Sequence, residues 1–316
     1  MAKKILFIDS NHPTLHETLM QKGFQCDLFW DKSNAELIKL IPDYDALVIR
    51  SKFKITKEII DSAPQLKCIA RAGAGMENIA VEYAEGKGIH CVHAPEGNRD
   101  AVAEHAMAML LNLFNNIHRA DREVRLGKWL REENRGVELG GKTVGIIGYG
   151  NTGSAFAQRL SGFNCKVLAY DKYKFGFGNN FITESKLEDL FQEADIVSLH
   201  TPLTEETINF INDKFIHNFK KNIYIINTAR GKSLVIEDLV KNMKSGKVLG
   251  VCLDVLEYEA TSFENMNFDS LPKDMQYLIT SDKVILTPHI AGWTYESNVK
   301  IASVLADKIE KNLNNK

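Results

Sequence analysis

The sequence predicts an α/β protein built from two doubly wound parallel-sheet domains. Three observations carry that prediction. Short apolar runs alternate with helix-like stretches along nearly the whole chain, the pattern of strand–helix–strand units. The glycine-rich run GYGNTG at 148–153 follows one apolar run and precedes a helical pattern. The length, 316 residues, accommodates about two domains of ordinary size.

The elements follow in order. Strands are expected at 5–8, 46–49, 68–70 and 89–92, separated by helix-like stretches at 14–22, 35–40, 57–62 and 78–86. A loop containing Pro95 and Gly97 suggests a boundary, followed by a long apolar helix over 100–119. A second alternating set has strands at 143–147, 166–170, 196–199, 224–227, 248–253 and 284–286, and the chain closes with a helix over 296–311.

Composition narrows the function classes. Lys and Arg total 39 against 41 Asp and Glu, so the formal net charge is -2, which argues against a nucleic-acid or anionic-membrane binder. The 44% hydrophobic content is that of a globular chain with a large core. Cys26, Cys68, Cys91, Cys165 and Cys252 form no CxxC pair, so free thiols in a reducing cytoplasm are expected, with no metal site. The apolar run at the N-terminus meets Asp9 too soon for a signal peptide or a membrane span.

The glycine turn points to a dinucleotide. Gly148 permits the tight turn, Gly150 lets a pyrophosphate approach the backbone, and Gly153 lets the helix pack against the strand. The helix start at Asn151 and Thr152 offers free N–H groups to phosphate. Asp171, 23 residues after Gly148, is placed to accept hydrogen bonds from the adenosine ribose and to repel a 2′-phosphate, which favours NAD over NADP; Lys172 beside it pulls the other way.

Polar groups follow each later strand, where doubly wound sheets bind ligands. They are His200–Thr201–Pro202, Asn227–Thr228–Ala229–Arg230–Gly231, Asp254 with Glu257 and Glu259, and Thr287–Pro288–His289. Hydride transfer to a ketone needs a proton donor, a carboxylate to orient it and a cation to polarise the carbonyl. His289, Glu259 and Arg230 suit those roles, although spacing alone leaves Glu257 open. His200 either lines the cofactor pocket or caps a strand. His105 reads as packing, and the remaining histidines as structural.

The runs RAGAGMENI at 71–79, PEGNRDAVAEH at 95–105, the glycine turn, HTPL at 200–203, NTARG at 227–231, LDVLEYE at 253–259 and TPHIAG at 287–292 resemble the D-isomer-specific 2-hydroxyacid dehydrogenase family over nearly the whole chain. The resemblance implies catalysis by Arg230, Glu259 and His289. It selects Glu259 over Glu257, because the family's Glu lies five residues after the Asp of LDV. It implies NAD contacts at Ala74, Gly148, Gly150, Asn151, Thr152, Gly153, Asp171, His200, Thr201, Pro202, Thr228, Ala229, Arg230, Asp254, His289, Ala291 and Gly292. It also implies a Rossmann NAD-binding domain, 99–289, inserted into a flavodoxin-like substrate-binding domain, 1–98 and 290–316. Pairing of two copies through the NAD domains, using 101–140, is a further expectation.

Within the family, IRSKFKIT at 49–56 and the arm at 127–142 most resemble members that oxidise 3-phospho-D-glycerate in serine synthesis. Arg50, Ser51, Lys54 and Arg131 are then candidates for the phosphate. Gly73, Ala74 and Gly75 would take the substrate carboxylate, with Asn98 and Arg230 nearby. The rival readings are a reductase of glyoxylate, hydroxypyruvate or another 2-oxo acid, and an NADH-sensing corepressor. The sequence departs from the family pattern at Ala260, at Trp293 and in the longer polar segment 260–283, which reads either as a lid or as surface packing. A chain that stops at Lys316 is expected to lack a serine-sensing domain.

Overall fold

The computed structural model describes residues 2–30, 33–259 and 271–314. By its contacts the chain divides into two compact units, Met1–Arg99 with Trp293–Lys316, and Asp100–Gly292.

The first unit holds β1 (Lys4–Phe7), β2 (Gln25–Leu28), β3 (Ala46–Ile49), β4 (Cys68–Arg71) and β5 (His90–His93). They pair in parallel in the flavodoxin-like order β2-β1-β3-β4-β5. Leu47 and Ile49 face one apolar layer, and Ala46 and Val48 face the other, so β3 is buried on both sides. The second layer is closed by the helix Tyr295–Asn314 through Ala302, Leu305, Ala306, Ile309 and Leu313, an i, i+3, i+4, i+7 stripe.

The second unit holds β6 (Thr143–Ile147), β7 (Lys166–Tyr170), β8 (Ile182–Glu184), β9 (Ile196–Leu199), β10 (Ile223–Asn227), β11 (Val248–Leu253) and β12 (Val284–Leu286). Their order is β12-β11-β10-β9-β6-β7-β8, all parallel. From β6 the chain winds outward through β7 and β8, and from β9 it winds the other way. The reversal between β6 and β9 is the switch point at which such sheets bind ligands.

Three features differ from the sequence expectation. The short strands β2 and β8 emerge at sheet edges, where brief, half-exposed runs carry little apolar signal. Pro95 and Gly97 do not form a loop. They open the helix Pro95–Phe114, with Pro95 at a position where its missing N–H costs nothing. Gly97 is required there by packing, since a Cβ would lie 2.6 Å from the Ile301 backbone nitrogen. That helix also ends earlier than expected, because Asn116 turns left-handed (φ 51°) and a new helix runs Ile117–Arg125. Among the described residues no helix is long and apolar enough to cross a membrane.

Candidate active site

The turn after β6 has the form a dinucleotide requires. Gly148 adopts φ +92°, and a Cβ on it would lie 2.7 Å from the His200 carbonyl oxygen. A Cβ on Gly153 would lie 2.0 Å from the Gly148 carbonyl oxygen. Both glycines are therefore demanded by the protein's own packing. Gly150 is different: a Cβ there would meet nothing within 4 Å. Its φ is negative, -83°, with ψ -149°, so neither a left-handed turn nor a neighbouring atom opposes a side chain, and packing gives no reason for glycine. A pyrophosphate lying against that backbone does give one, at the start of the nine-residue helix Asn151–Arg159.

Asp171 follows β7. Its carboxylate accepts the backbone N–H groups of Tyr149 at 2.7 Å, Tyr173 at 2.9 Å and Lys174 at 3.0 Å, which ties the glycine turn to the β7 loop. Lys172 does not project alone. Its Nζ meets Glu206 Oε1 at 2.5 Å, and Tyr173 donates its hydroxyl to Glu206 Oε2 at 2.5 Å.

At β9, His200 is buried, and Ser198 Oγ sits 2.8 Å from its Nε2. Burial pushes the His200 pKa down to about 3, so the ring is neutral near pH 7, with one nitrogen a donor and the other an acceptor. Its Nδ1, together with Thr201 Oγ1 and Thr228 Oγ1, is buried without a hydrogen-bond partner among the described residues. Such orphaned polar atoms are rare in a finished interior and suit a site completed by a polar ligand. They and Gly150 fit NAD. Pro202 is exposed and Ala229 buried on the same strand ends.

Arg230 is held by its loop. Asn227, fully buried at the end of β10, donates from Nδ2 to the Arg230 carbonyl at 2.9 Å and accepts the Ala229 N–H at 3.1 Å. Next to it, a Cβ on Gly231 would lie 2.0 Å from the Leu256 carbonyl oxygen, so the Arg230 loop packs directly on the backbone leading to Glu259.

Asp254, 2% exposed, organises the turn after β12. Oδ1 accepts from Thr287 Oγ1 at 2.6 Å and Ile290 N–H at 2.9 Å, Oδ2 accepts from Ala291 N–H at 2.9 Å, and the main-chain carbonyl accepts from His289 N–H at 2.8 Å. His105 Nε2 lies 3.0 Å from Thr287 Oγ1. The Thr287 proton is committed to Asp254, so His105 donates. His289 itself sits at φ 56°, a strained conformation for a residue with a Cβ. Its Nδ1 is 2.8 Å from Glu259 Oε2. Glu257 instead accepts the Ile236 N–H at 3.3 Å and caps the helix Ile236–Lys244, which separates the two glutamates that spacing left open.

In the first unit, Arg50 follows β3 and Arg71 ends β4. Arg71 Nε donates to the Arg50 carbonyl at 3.1 Å, and a Cβ on Gly73 would overlap the Arg71 guanidinium. The backbone at Gly73 is thus covered by a cation, a placement the sequence analysis did not assign, although the RAGAG run contains it. Asp9 and Asn78 were missed as well. Both hold the Arg50 loop, and neither stands in a charged motif. Ser51 and Ala74 are half-buried, Gly75 is buried, and Lys54 is exposed. Asn98 lies in the first turns of the helix Pro95–Phe114, its Oδ1 buried and with no hydrogen-bond partner among the described residues. Arg131, in the second unit, is exposed in the arm. Of the 260–283 segment, residues 260–270 lie outside the described residues. No group of three metal-ligating side chains occurs among the described residues.

Residues 107–291 match the family model described as D-isomer specific 2-hydroxyacid dehydrogenase, NAD binding domain. A hydroxypyruvate reductase of Thermotoga maritima is 40% identical over 278 residues, 88% of each chain. A D-3-phosphoglycerate dehydrogenase of Archaeoglobus fulgidus is 34% identical over 97% of this chain, which spans 56% of that relative's length. Among solved structures, the D-lactate dehydrogenase of Aquifex aeolicus complexed with NAD and lactic acid superposes with a TM-score of 0.82. It is 28% identical and covers 98% of this chain and 95% of that one.

Proposed function

This chain belongs to the D-isomer-specific 2-hydroxyacid dehydrogenase family, and from that premise we propose that it interconverts 3-phospho-D-glycerate and 3-phosphohydroxypyruvate. It is an NAD-dependent dehydrogenase acting on a 2-hydroxy acid, and the phosphorylated substrate is the finer reading.

The observation that carries the finer reading is Arg50. Its guanidinium makes no hydrogen bond or ion pair with any described residue, and Arg71 flanks it at the next strand end. A phosphate supplies the acceptors that such a fork lacks. Ser51 and Lys54 lie in the same loop and extend the donor set, and Arg131 remains a candidate from the arm.

In the oxidation, His289 Nε2 takes the hydroxyl proton of the substrate. Glu259 accepts the Nδ1–H, which fixes the tautomer and stabilises the imidazolium that forms. Arg230 polarises the C2 oxygen and forks onto the carboxylate. NAD, when bound on the Gly148–Gly153 turn, supplies the acceptor for the C2 hydride. Asp254 acts by holding the turn that carries His289, alongside any contact to the nicotinamide. The reverse reaction uses the same groups, with His289 returning the proton.

A second reading, reduction of unphosphorylated hydroxypyruvate, is favoured by the relative that matches 88% of both chains. The deciding experiment measures NADH oxidation with phosphohydroxypyruvate, hydroxypyruvate and glyoxylate. The phosphate reading expects the highest kcat/KM for the phosphorylated acid. Equal values would leave the reductase reading.

The proposal includes pairing of two copies. Ile117, Leu126 and Trp129 expose apolar side chains along the helix Ile117–Arg125 and the arm, Trp129 being 78% exposed. Such a strip is costly to leave in water. Light scattering on the wild-type chain and on Trp129→Lys tests it, and a monomeric wild type would end it.

A further inference from the structure

Arg50 is fixed at both ends of the residue. Asp9, 2% exposed after β1, accepts the Arg50 N–H at 2.6 Å and the Lys52 N–H at 3.3 Å through Oδ2. The Arg50 carbonyl accepts from Arg71 Nε at 3.1 Å and from Asn78 Nδ2 at 3.4 Å. The head of the side chain is held differently: its Cζ stands 4.0 Å from the centre of the Trp293 ring. Trp293 comes from the other end of the chain, just before the helix Tyr295–Asn314 that closes the same sheet.

A guanidinium is planar and weakly hydrated on its faces, so an indole can cover one face without touching the N–H edge. The edge keeps its donors, and they point to no protein acceptor among the described residues. Burial works against the Arg50 charge and the Asp9 carboxylate supports it. The result is a desolvated cation whose backbone and head are fixed while its hydrogen bonds are unmade, the arrangement of a preorganised anion site.

We propose that Trp293 is a positioning residue: by stacking on Arg50 it holds the guanidinium edge ready for the substrate's second anionic group, and so sets the chain's preference for substrates that carry one. This rests on the proposed role of Arg50 in taking the phosphate. It also explains the departure at 293. The bulky ring acts on the cation and, through it, on substrate choice.

The test compares Trp293→Ala, Trp293→Phe and Arg50→Gln on phosphohydroxypyruvate and hydroxypyruvate with NADH. The expected result for Trp293→Ala is a fall of about tenfold in the ratio of kcat/KM values, phosphorylated over unphosphorylated, with the loss in KM for the phosphorylated acid. Trp293→Phe, which keeps a ring, retains most of the ratio. An independent readout uses the chain with Trp30 and Trp129 changed to Phe, titrated with inorganic phosphate and no cofactor. The remaining indole emission should respond to phosphate, and Arg50→Gln should abolish the response. If Arg50→Gln collapses the ratio and Trp293→Ala leaves it intact, the role of Trp293 is refuted while the phosphate reading stands. If neither variant moves the ratio, the phosphate reading falls and this inference falls with it. A Trp293→Ala variant that loses kcat equally on both acids makes the ring a general pocket wall and overturns the positioning role.

Discussion

His289 Nδ1 and Glu259 Oε2 meet at 2.8 Å, which fixes the orientation of the imidazole ring. A carboxylate there accepts the Nδ1–H and stabilises the charged ring. Glu259→Gln keeps the size and removes the charge. It should lower kcat by about 10²-fold, with a smaller change in KM. Steady-state kinetics in both directions check this, and an unchanged kcat would remove Glu259 from the mechanism. His289→Ala should cost more, because it deletes the proposed proton donor and acceptor.

The two glycines of the β6 turn should separate folding from cofactor binding. Gly153→Ala forces a Cβ to within 2.0 Å of a carbonyl oxygen and should destabilise the chain by about 1–3 kcal/mol. Gly150→Ala adds a methyl to open space, so its melting temperature should fall much less than that of Gly153→Ala. Its NADH affinity should fall at least about tenfold, as the methyl occupies the volume a pyrophosphate needs. Thermal melts and NADH titrations read the two effects separately. Wild-type NADH binding by Gly150→Ala would remove the phosphate role of that turn.

Glu206 bears on cofactor choice. It engages both Lys172 and Tyr173, so Lys172, next to Asp171 in sequence, is already paired. All three are exposed, so the effect on stability is small. Glu206→Gln should release Lys172 toward a 2′-phosphate and improve kcat/KM for NADPH a few-fold relative to NADH. The larger gain is expected on adding Asp171→Ser, which removes the repelling carboxylate. No change in the NADPH/NADH ratio in the double variant would refute the discrimination argument.

His200 predicts an acid sensitivity with a defined sign. An unfolded histidine takes its proton near 6.5, while the buried ring does so only near 3. Protonation below about 6.5 therefore favours the unfolded chain, and stability contributed by the neutral ring is lost progressively as pH falls toward 3. Between pH 6.5 and 5 the shift corresponds to about 2 kcal/mol. His200→Gln removes this component, so its loss of melting temperature on going from pH 7 to pH 5 should be smaller than that of the wild type. An identical loss would mean that His200 does not govern this range.

The strand ends that carry the candidate site were legible in the sequence because parallel strands that are buried on both faces read as apolar runs, and the polar residues that follow mark the edge where such sheets bind ligands. Thr143–Ile147, Lys166–Tyr170 and Ile196–Leu199 appear where the pattern places them. The edge strands Gln25–Leu28 and Ile182–Glu184 were not legible, since half-exposed strands need no apolar run. Pro95 and Gly97 misled for a related reason. In isolation they punctuate a chain, but here one opens a helix and the other admits the backbone of Ile301.

The sequence by itself determined the two parallel-sheet units, the glycine turn, the position of Asp171 and the placing of Arg230, Glu259 and His289 after successive strands. These depend on local pattern and on strand ends, which a linear chain records. Tertiary structure decided the partners. It set Glu257 on a helix cap and Glu259 on His289. It held His289 left-handed through Asp254, and it laid Trp293 over Arg50. Each of those pairings is a hydrogen bond or stacking contact between residues far apart in sequence. Such contacts exist only once the chain has folded, so the residues read without the family resemblance left Glu257 and Glu259 open.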